Sequence, residues 1–550
     1  MKYILSIILF FLLAGSLFAQ NEQDQVIFKA MQDEMQRSKD QLMLPGMQKP
    51  YYLSYTLGRT RQFEVVGALG GITNFYESPW SAVGGVQMFL GDYDRNNDVN
   101  YACASIQAGM PEQADYDVIR RNFWLGSDVM YKWSLQAGAM KDAYLKANPK
   151  TAEEAAVKDQ QKVAAVTRIE EPKTAYTIDR AKLEGIVEEL SAIFKGYKDI
   201  YDSSVAITGQ EMEVYKSTTD GVVLKEPLRY ASLVASAYVM TEDGVRIDDA
   251  YSVLVARPDD LPSLDELKKG VKVFADNLIK LKNAPAITEY YAGPVLLEDG
   301  ACSSVFISNF LKRGALFAYR KPDTDRAQSV KTLDARLGMK IVDNRVSIKN
   351  YSSLDKYNGV PLLGAYNIDA EGVVPAKEMT LVDHGIFKSM LNGCIPTLYA
   401  PQSTGSSRFL LSSSNGMFAT APGTIHIQVD KGTKQDKMKK ALIKAAKDEG
   451  LDYAYIVRSI AGPASRIYKV DVKDGSETQV RFGDVSAINL AKIKRVLDIS
   501  SKENVSNYIL NRQVLSSLIY PASVLIEDVE INKSEPKKEK EPVLKFPLQR

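Results

Sequence analysis

Residues 369–388 have the sequence DAEGVVPAKEMTLVDHGIFK, which indicates a turn followed by a β-hairpin. Residues 377–382 and 386–388 supply the two strands, and Asp383-His384-Gly385 supplies the tight turn between them. Side chains in such turns usually face solvent, so we expect this of His384. Strand signals continue on both sides, from about residue 290 to residue 530. The second half of the chain is therefore predicted to be rich in strands.

The first half combines helical and strand patterns. Apolar residues at helical spacing predict amphipathic helices, and runs of β-forming residues broken by glycine predict hairpins. Residues 151–173 are charged and rich in alanine, which favours a helix plus a linker. The other predicted elements are helices in 27–42, 115–147, 183–194 and 264–281, a meander from residue 51, and hairpins in 204–256. These patterns predict an α+β protein with two main domains, a first of mixed helices and antiparallel sheet and a second rich in strands.

Four motifs of the second half resemble the TldD/PmbA family, whose members are labelled modulators of DNA gyrase or TldD-type metallopeptidases. They are YAGPVLLE at residues 291–298, DAEGV at 369–373, the hairpin at 377–388 and Leu391-Asn392-Gly393. The order of helices and hairpins in the first half is also similar, with residues 115–173 resembling an insertion. The resemblance implies a paired peptidase chamber that encloses an extended peptide.

Active members of the family carry His-Glu-x-x-x-His on a helix after the first of these strands. Two imidazoles about one turn apart can hold Zn²⁺, and the adjacent Glu can activate a bound water. By the family's spacing this window is residues 307–312, ISNFLK, with Ile307 and Lys312 at the histidine positions and Ser308 at the general-base position. Isoleucine has no donor atom and a protonated lysine repels a cation. We therefore expect a helix without its metal, packed as core.

Other residues leave two possibilities open for a rebuilt site. Glu298, Asp299 and Cys302 lie together before the window and could form a carboxylate/thiolate site; alternatively, the acids favour a helix N-terminus and Cys302 is a small buried side chain. The family also uses a cysteine ligand from the C-terminal region, where Cys394 is the one cysteine, although no motif places it at that position.

The protein has two histidines, His384 and His426, and neither lies in a zinc-binding spacing. His426 alternates with Ile425 and Ile427, so we expect it on the polar face of a strand. The sequence thus predicts no catalytic, cofactor-binding or metal-ligating residue, and no cofactor.

Two further patterns are weaker. Residues 92–98 place acidic or amide oxygens at alternate positions like the first half of a calcium loop, but Asn97 replaces the turn glycine and Cys103 stands where the last carboxylate belongs. A polar turn between strands is the preferred interpretation. Ser353 and Lys356 have the spacing of some acylating enzymes, without the companion motifs.

The composition limits the partners. Among 550 residues, 69 Lys and Arg balance 68 Asp and Glu, which gives no electrostatic reason to expect nucleic acid. A mean hydropathy of −0.19 argues against several membrane spans. No phosphate-binding glycine motif is present in the sequence.

The two ends of the chain differ from the rest. Lys2 is followed by an apolar run in residues 4–13 and by small residues up to Ala19, which predicts a signal peptide rather than a span. Residues 533–545 mix Lys and Glu with prolines and predict a solvated tail. The predicted division is residues 1–19 signal peptide, 20–289 N-terminal TldD/PmbA-like domain with a helical insertion, 290–532 C-terminal β-rich domain, and 533–550 disordered tail.

The leading functional hypothesis is an exported, metal-free subunit, periplasmic or secreted, that binds extended peptide beside a zinc-bearing TldD-like homologue. The alternatives are an autonomous peptidase with substituted metal ligands and a homodimeric peptide-binding protein. All three involve no nucleic acid, and no integral membrane span after signal cleavage.

Overall fold

The computed structural model describes residues 2–99, 104–106, 113–312, 315–325, 332–411, 418–511 and 513–540; for 2–21 and 104–106 it describes the backbone alone. The α-helices in these residues are α1 Lys2–Gln41, α2 Tyr116–Ala147, α3 Ala152–Ala155, α4 Arg180–Ala192, α5 Leu264–Asn283, α6 Asp299–Phe306, α7 Gln435–Asp448 and α8 Leu490–Ile493. A π-helical turn, Ile307–Leu311, continues α6.

An eight-stranded sheet dominates the first half. Its strands are β1 Pro50–Ala68, β2 Gly71–Glu77, β3 Ser81–Leu90, β4 Ala104–Ile106, β5 Val166–Ile169, β6 Ile200–Thr218, β7 Val222–Met240 and β8 Arg246–Val255. The order is β4-β3-β1-β6-β7-β5, with β2 on β1 and β8 on β7. Helices α4 and α5 share one hydrophobic core with this sheet, and α1 and α2 share another.

The second half is built on two larger sheets and two short hairpins. Its strands are β9 Tyr291–Glu298, β10 Val346–Tyr351, β11 Lys356–Tyr357, β12 Val360–Pro361, β13 Glu378–Asp383, β14 Ile386–Phe387, β15 Ser407–Phe409, β16 Phe418–Thr420, β17 Thr424–Val429, β18 Tyr453–Ser459, β19 Arg466–Asp471, β20 Glu477–Val480, β21 Gly483–Val485, β22 Asp498–Ile499, β23 Glu503–Leu510, β24 Val514–Pro521 and β25 Ser523–Lys533. A seven-stranded sheet contains β20-β19-β18-β9-β25-β21 with β22, and a six-stranded sheet runs β14-β13-β10-β17-β24-β23.

Strand β9 shows how the two faces of the seven-stranded sheet are used. Val295 and Leu297 belong to the core shared with the six-stranded sheet, whereas Leu296 between them packs under α7. All three side chains are 0% exposed. A strand buried on both faces is continuously apolar, which explains the run of hydrophobic residues in this motif.

The α+β prediction is confirmed, and most predicted elements are present. Helix α2 begins after Asp115, whose carboxylate accepts a hydrogen bond from the backbone of Val118. The hairpins predicted in residues 204–256 are present, and Gly221 and Gly244 in their turns have positive φ. The division into domains stays a prediction.

The stretch 151–173 differs from its prediction. Only Ala152–Ala155 is helical, and Val166–Ile169 is a strand that pairs in parallel with β7. The capping box of Thr151 and Glu154 starts the helix. Beyond it the backbone bonds to other segments in both halves of the chain. The amide of Gln160 donates to the carbonyl of Tyr93 at 3.0 Å, and the amide of Gln161 donates to the carbonyl of Cys394 at 2.8 Å. Tertiary contacts therefore override the helical tendency of this segment.

The segment after β25 also makes contacts. Lys538 forms an antiparallel bridge with Val245, and the amide of Glu539 donates to the carbonyl of Gly244 at 2.7 Å.

Among the residues whose side chains the structure describes, no helix is both long and apolar enough to cross a membrane.

A buried ion pair attaches α1 to the eight-stranded sheet. The ammonium of Lys225 on β7 lies 2.6 Å from Asp24 and 2.8 Å from Glu171, and its side chain is 0% exposed. The hydroxyl of Tyr215 also donates to Asp24 at 2.7 Å. Burial opposes the charge of Lys225, but Asp24 and Glu171 outweigh it and raise the pKa of the ammonium. Loss of Asp24 would leave a buried cation with one partner.

We predict that Asp24→Ala lowers the free energy of unfolding by about 3 kcal/mol, because breaking a buried pair leaves an undercompensated charge. The matched control is Asp128→Ala, which removes the exposed pair with Lys132 and is expected to cost less than about 1 kcal/mol. Urea unfolding of both variants measures the difference; equal losses would contradict a specific role for the buried pair.

Candidate functional site

The DAEGV motif is a turn held together by one carboxylate. Oδ1 of Asp369 accepts hydrogen bonds from the amides of Glu371 (2.9 Å) and Val373 (2.8 Å), and Oδ2 accepts one from the amide of Ser407 (3.1 Å). Gly372 has a φ of +91°, a conformation that favours glycine. Asp369 is 1% exposed and therefore shapes the chain rather than contacting a ligand.

Glu371 projects from this turn into a cluster with the second cysteine. Its Oε2 accepts hydrogen bonds from the amide of Cys394, at 2.7 Å, and from the hydroxyl of Ser407. The neighbouring Gly393 leaves the necessary room, since a Cβ there would lie 2.5 Å from Ser407 Oγ and 2.7 Å from Glu371 Oε2. The Leu-Asn-Gly motif thus packs directly against the DAEGV motif.

This cluster forms one wall of a cavity of about 460 Å³ between the two halves of the chain. The first half contributes β3 and residues 159–160, and the second half contributes residues 317–320, 392–395 and β16. Its walls combine aromatic rings with side-chain amides, among them Phe89, Phe317, Phe418, Gln87, Gln160 and Asn392. Strand β16 pairs with β15 on one side, and no other strand of the described residues pairs with it.

Burial raises the pKa of two groups in the cluster, the Cys394 thiol and the Asp369 carboxyl. Burial, and then the nearby Glu371 and Asp369, raise the pKa of the Cys394 thiol well above its ordinary value. Burial and the charge of Glu371 likewise raise the pKa of Asp369. A protonated thiol is a weak nucleophile and a poor metal ligand at neutral pH.

An ion network forms the opposite wall. Asp159 lies 2.6 Å from the ammonium of Lys141 and contacts the guanidinium of Arg320. Arg320 also donates to the carbonyl of Lys158 at 2.5 Å. Burial tends to raise the pKa of Asp159, but the two cations outweigh it and lower the pKa. The network joins α2, the 151–173 stretch and the segment after the π-helical turn.

The window expected to hold zinc in the family packs into the core only in part, because Ser308 and Lys312 are exposed. Phe310 and Leu311 are at most 1% exposed, and Ile307 packs against the same core. The hydroxyl of Ser308 donates to the carbonyl of Ser304 at 2.5 Å. None of residues 307–312 lines the cavity. These side chains do not fit a zinc ion, and no group of three or more His, Cys, Asp or Glu among the described residues could hold a metal.

The carboxylate/thiolate alternative also finds its residues engaged elsewhere. Glu298 accepts hydrogen bonds from Arg458 (2.9 Å) and Gln435 (3.2 Å). The thiol of Cys302 donates to the carbonyl of Pro521 at 3.1 Å and is 0% exposed. Asp299 opens α6, but the capping residue Glu298 makes no side-chain capping bond.

The two histidines lie at separate places. His384 occupies the β13–β14 turn with a φ of +44° and is exposed as expected. His426 is only 6% exposed, because Tyr357 of the β11–β12 hairpin packs over it and its Nε2 lies 2.7 Å from Glu503. Its face of the strand is polar but buried. A hairpin distant in sequence covers this face, and alternation within one strand does not reveal such a cover.

The loop at residues 92–98 is a polar turn. Oδ1 of Asp92 accepts hydrogen bonds from the amides of Asp94 (2.9 Å) and Arg95 (2.8 Å), and Asp94 pairs with Lys158 at 2.8 Å. Cys103 lies outside the described residues.

Several solved structures share the whole architecture. No family model matches the chain, and no curated protein is significantly similar to it. A proposed modulator of DNA gyrase from Thermotoga maritima superposes with a TM-score of 0.56 at 14% identity, covering 88% of this chain and 96% of that one. TldE from Thermococcus kodakarensis gives 0.55 at 13%, covering 91% and 99%. A proposed modulator of DNA gyrase from Bacteroides thetaiotaomicron gives 0.57 at 13%, covering 93% and 99%.

The three matches show the fold class of this chain: an α+β architecture shared over nearly the full length of each neighbour. That architecture is the one found in TldD/PmbA proteins, so the resemblance seen in the sequence motifs is confirmed at the level of the fold.

Half of the cavity lining could not be predicted from the sequence. Glu371 was visible as part of a motif, but its contact with Cys394 depends on a chain reversal between them. Asp159 and Gln160 lie in a stretch that was predicted as helix and linker, and Arg320 belongs to no motif. The one available signal was the glycine of Leu391-Asn392-Gly393, which marks a close approach of backbone to a neighbour.

We predict that Gly393→Ala destabilises the protein by about 1–3 kcal/mol, because the added methyl group must displace Ser407 or Glu371. The control is Gly185→Ala in α4, where a Cβ meets nothing within 4 Å and alanine is expected to stabilise the helix by up to about 1 kcal/mol. Thermal unfolding compares the stability of the two variants. If Gly393→Ala were as stable as the wild type, Ser407 or Glu371 could move aside at little cost.

A second prediction concerns His384, whose Nδ1 lies 2.7 Å from Asp383 and whose Nε2 lies 2.9 Å from Asp430. These two carboxylates raise the pKa of the imidazole. A raised folded-state pKa means that the stabilisation is complete below the unfolded pKa of about 6.5 and is lost as the pH rises through the folded value.

We therefore expect His384→Gln to lower the urea midpoint at about pH 5 and to leave it nearly unchanged at about pH 9. Asp430→Asn, which removes one of the two partners, should give a smaller loss at the acidic pH. An equal loss for His384→Gln at both pH values would assign the effect to packing in the turn.

Proposed function

We propose that this protein is the metal-free, peptide-binding subunit of a peptidase complex of the TldD/TldE type, and that it acts after export. The observation that carries the proposal lies at the positions where the family's zinc helix presents its two histidines and its general base. There Ile307 packs against the core, the hydroxyl of Ser308 is bonded to the helix backbone, and Lys312 is a cation. The likeness to TldE over nearly the whole chain supports it at the level of the fold.

The cavity suits an extended polypeptide. Side-chain amides such as Gln87, Gln160 and Asn392 can pair with peptide N–H and C=O groups, and the rings of Phe89, Phe317 and Phe418 can pack on side chains. The edge of β16 offers backbone groups for strand addition, which tolerates many sequences. A subunit of this kind would hold peptide and leave cleavage to its partner.

Two parts of the proposal rest on the sequence. Export is supported by Lys2, the apolar residues 4–13 and the small residues before Ala19. The partner is proposed to be a zinc-bearing homologue, because the ligands missing from residues 307–312 must come from another chain if the complex is to hydrolyse peptides.

The proposal is tested by purifying the protein alone and together with an exported homologue that retains His-Glu-x-x-x-His. Alone, it should contain far less than one zinc per chain by elemental analysis and should not cleave unstructured peptides. Together, the two should co-elute as a larger species with higher peptidase activity than the homologue alone.

Two variants make the test specific. Ser308→Ala should leave the activity of the mixture nearly unchanged, since this hydroxyl is bound to the helix backbone. If the protein alone cleaves peptide, and Cys394→Ala or Asp299→Ala abolishes cleavage together with stoichiometric zinc, the autonomous peptidase is correct. Peptide binding by a homodimer that ignores the homologue would instead favour the peptide-binding protein without a catalytic partner.

A further inference from the structure

A second cavity of about 390 Å³ lies beside the first. Its lining comes from the end of α2 and the residues after it, from residues 319–323 and from residues 396–399. Three tyrosines line it, Tyr144, Tyr319 and Tyr399, together with Leu398 and several prolines. Leu398 is 46% and Tyr399 is 42% exposed, so this concave surface keeps large apolar side chains in contact with solvent.

Two adjacent residues lie between the two cavities. Tyr319 and Arg320 line both of them. A gap of about 20 Å³ lies between, sharing Asp159 with the first cavity and Asp323 with the second. The gap itself is too small for a polypeptide, so a peptide that joins the two cavities must cross over the half-buried side chains of Tyr319 and Arg320. A strand advances about 3.3 Å per residue, so a few residues suffice to cross two adjacent side chains.

The dividing wall is fixed rather than loose. Arg320 contacts Asp159 and donates to the carbonyls of Lys158 and Pro396, which tie it to both sides of the passage. Lys150 pairs with Asp323 at 2.8 Å at the edge of the second cavity. Two further charged groups of the lining are also engaged, since Lys321 donates to the hydroxyl of Tyr144 at 3.4 Å and Glu154 caps α3. The tyrosine and leucine side chains supply the apolar part of this surface.

We propose that the second cavity is a subsite for an apolar or aromatic side chain of the peptide that occupies the first. This inference rests on the proposed function, since it takes the peptide in the first cavity as given. The occupant is one continuous extended peptide, with its polar backbone held among the amides of the first cavity and one large apolar side chain placed against Tyr399 and Leu398.

The test compares fluorescein-labelled pools of random-sequence peptides of about four and about ten residues, lengths that fill one cavity or span both. By fluorescence anisotropy, the long pool should bind about tenfold more tightly than the short pool, the gain expected from burying one large apolar side chain. Tyr399→Ala should remove this gain and leave binding of the short pool unchanged. Tyr76→Ala is the control, because Tyr76 is 53% exposed on β2, which lines neither cavity.

A second measurement does not depend on the alanine variant. In Leu398→Cys, the rate of maleimide labelling above that of the wild type should fall when the long pool is added and stay constant with the short pool. Equal affinity of the two pools, or labelling that the long pool does not slow, overturns the subsite and leaves the proposed function standing. Failure of both pools to bind overturns the proposed function and the subsite with it.

Discussion

The buried carboxylate of Asp369 organises the centre of the second half. It accepts three backbone hydrogen bonds, two within its own turn and one from Ser407 on β15. The amide of Ser407 would otherwise be buried without a partner, which costs about 1–3 kcal/mol, and the other two amides are partly buried. Because the same turn carries Glu371, the carboxylate that closes the backbone also sets the position of the side chain in the cavity wall.

The opposite wall depends on contacts between chain segments that are distant in sequence. Arg320 binds Asp159 and the carbonyl of Lys158, and the amide of Gln161 donates to the carbonyl of Cys394. These bonds draw the 151–173 stretch across the junction between the two halves. The cavity therefore exists only in the assembled chain, and neither the eight-stranded sheet nor the strand-rich half would form it alone.

The sequence predicted elements well and contacts between elements poorly, for a physical reason. Periodicity reports the environment of one segment, so the helix after Asp115, the hairpins around Gly221 and Gly244 and the turn at His384 were all predicted correctly. It does not report what covers a segment. His426 is polar by alternation yet buried by Tyr357. Asp159 and Gln160 lie in a stretch predicted as helix plus linker, yet they line the cavity.

In the candidate site, motifs predicted some of the residues, but the contacts between distant segments again could not be predicted. Residues 369–373 and 391–393 were identified as separate motifs, and the structure shows that they are one object, since Gly393 lacks a Cβ where Glu371 and Ser407 approach. The absence of zinc ligands in residues 307–312 was visible from residue types, because Ile and Lys lack the donor chemistry in any conformation. The ion network of Asp159 had no such signature, since its members come from three separate segments.

The protonation states and partners in the cavity walls bear on what the cavity can bind. Glu371 already accepts two hydrogen bonds through Oε2, Asp159 faces two cations, and the Cys394 thiol holds its proton. A zinc ion would need deprotonated ligands released from such partners. A neutral peptide backbone needs no charge to be displaced, and walls whose groups are already held in place lose little entropy when it binds. The arrangement that makes the cavity a poor metal site is thus compatible with the extended peptide that we propose for it.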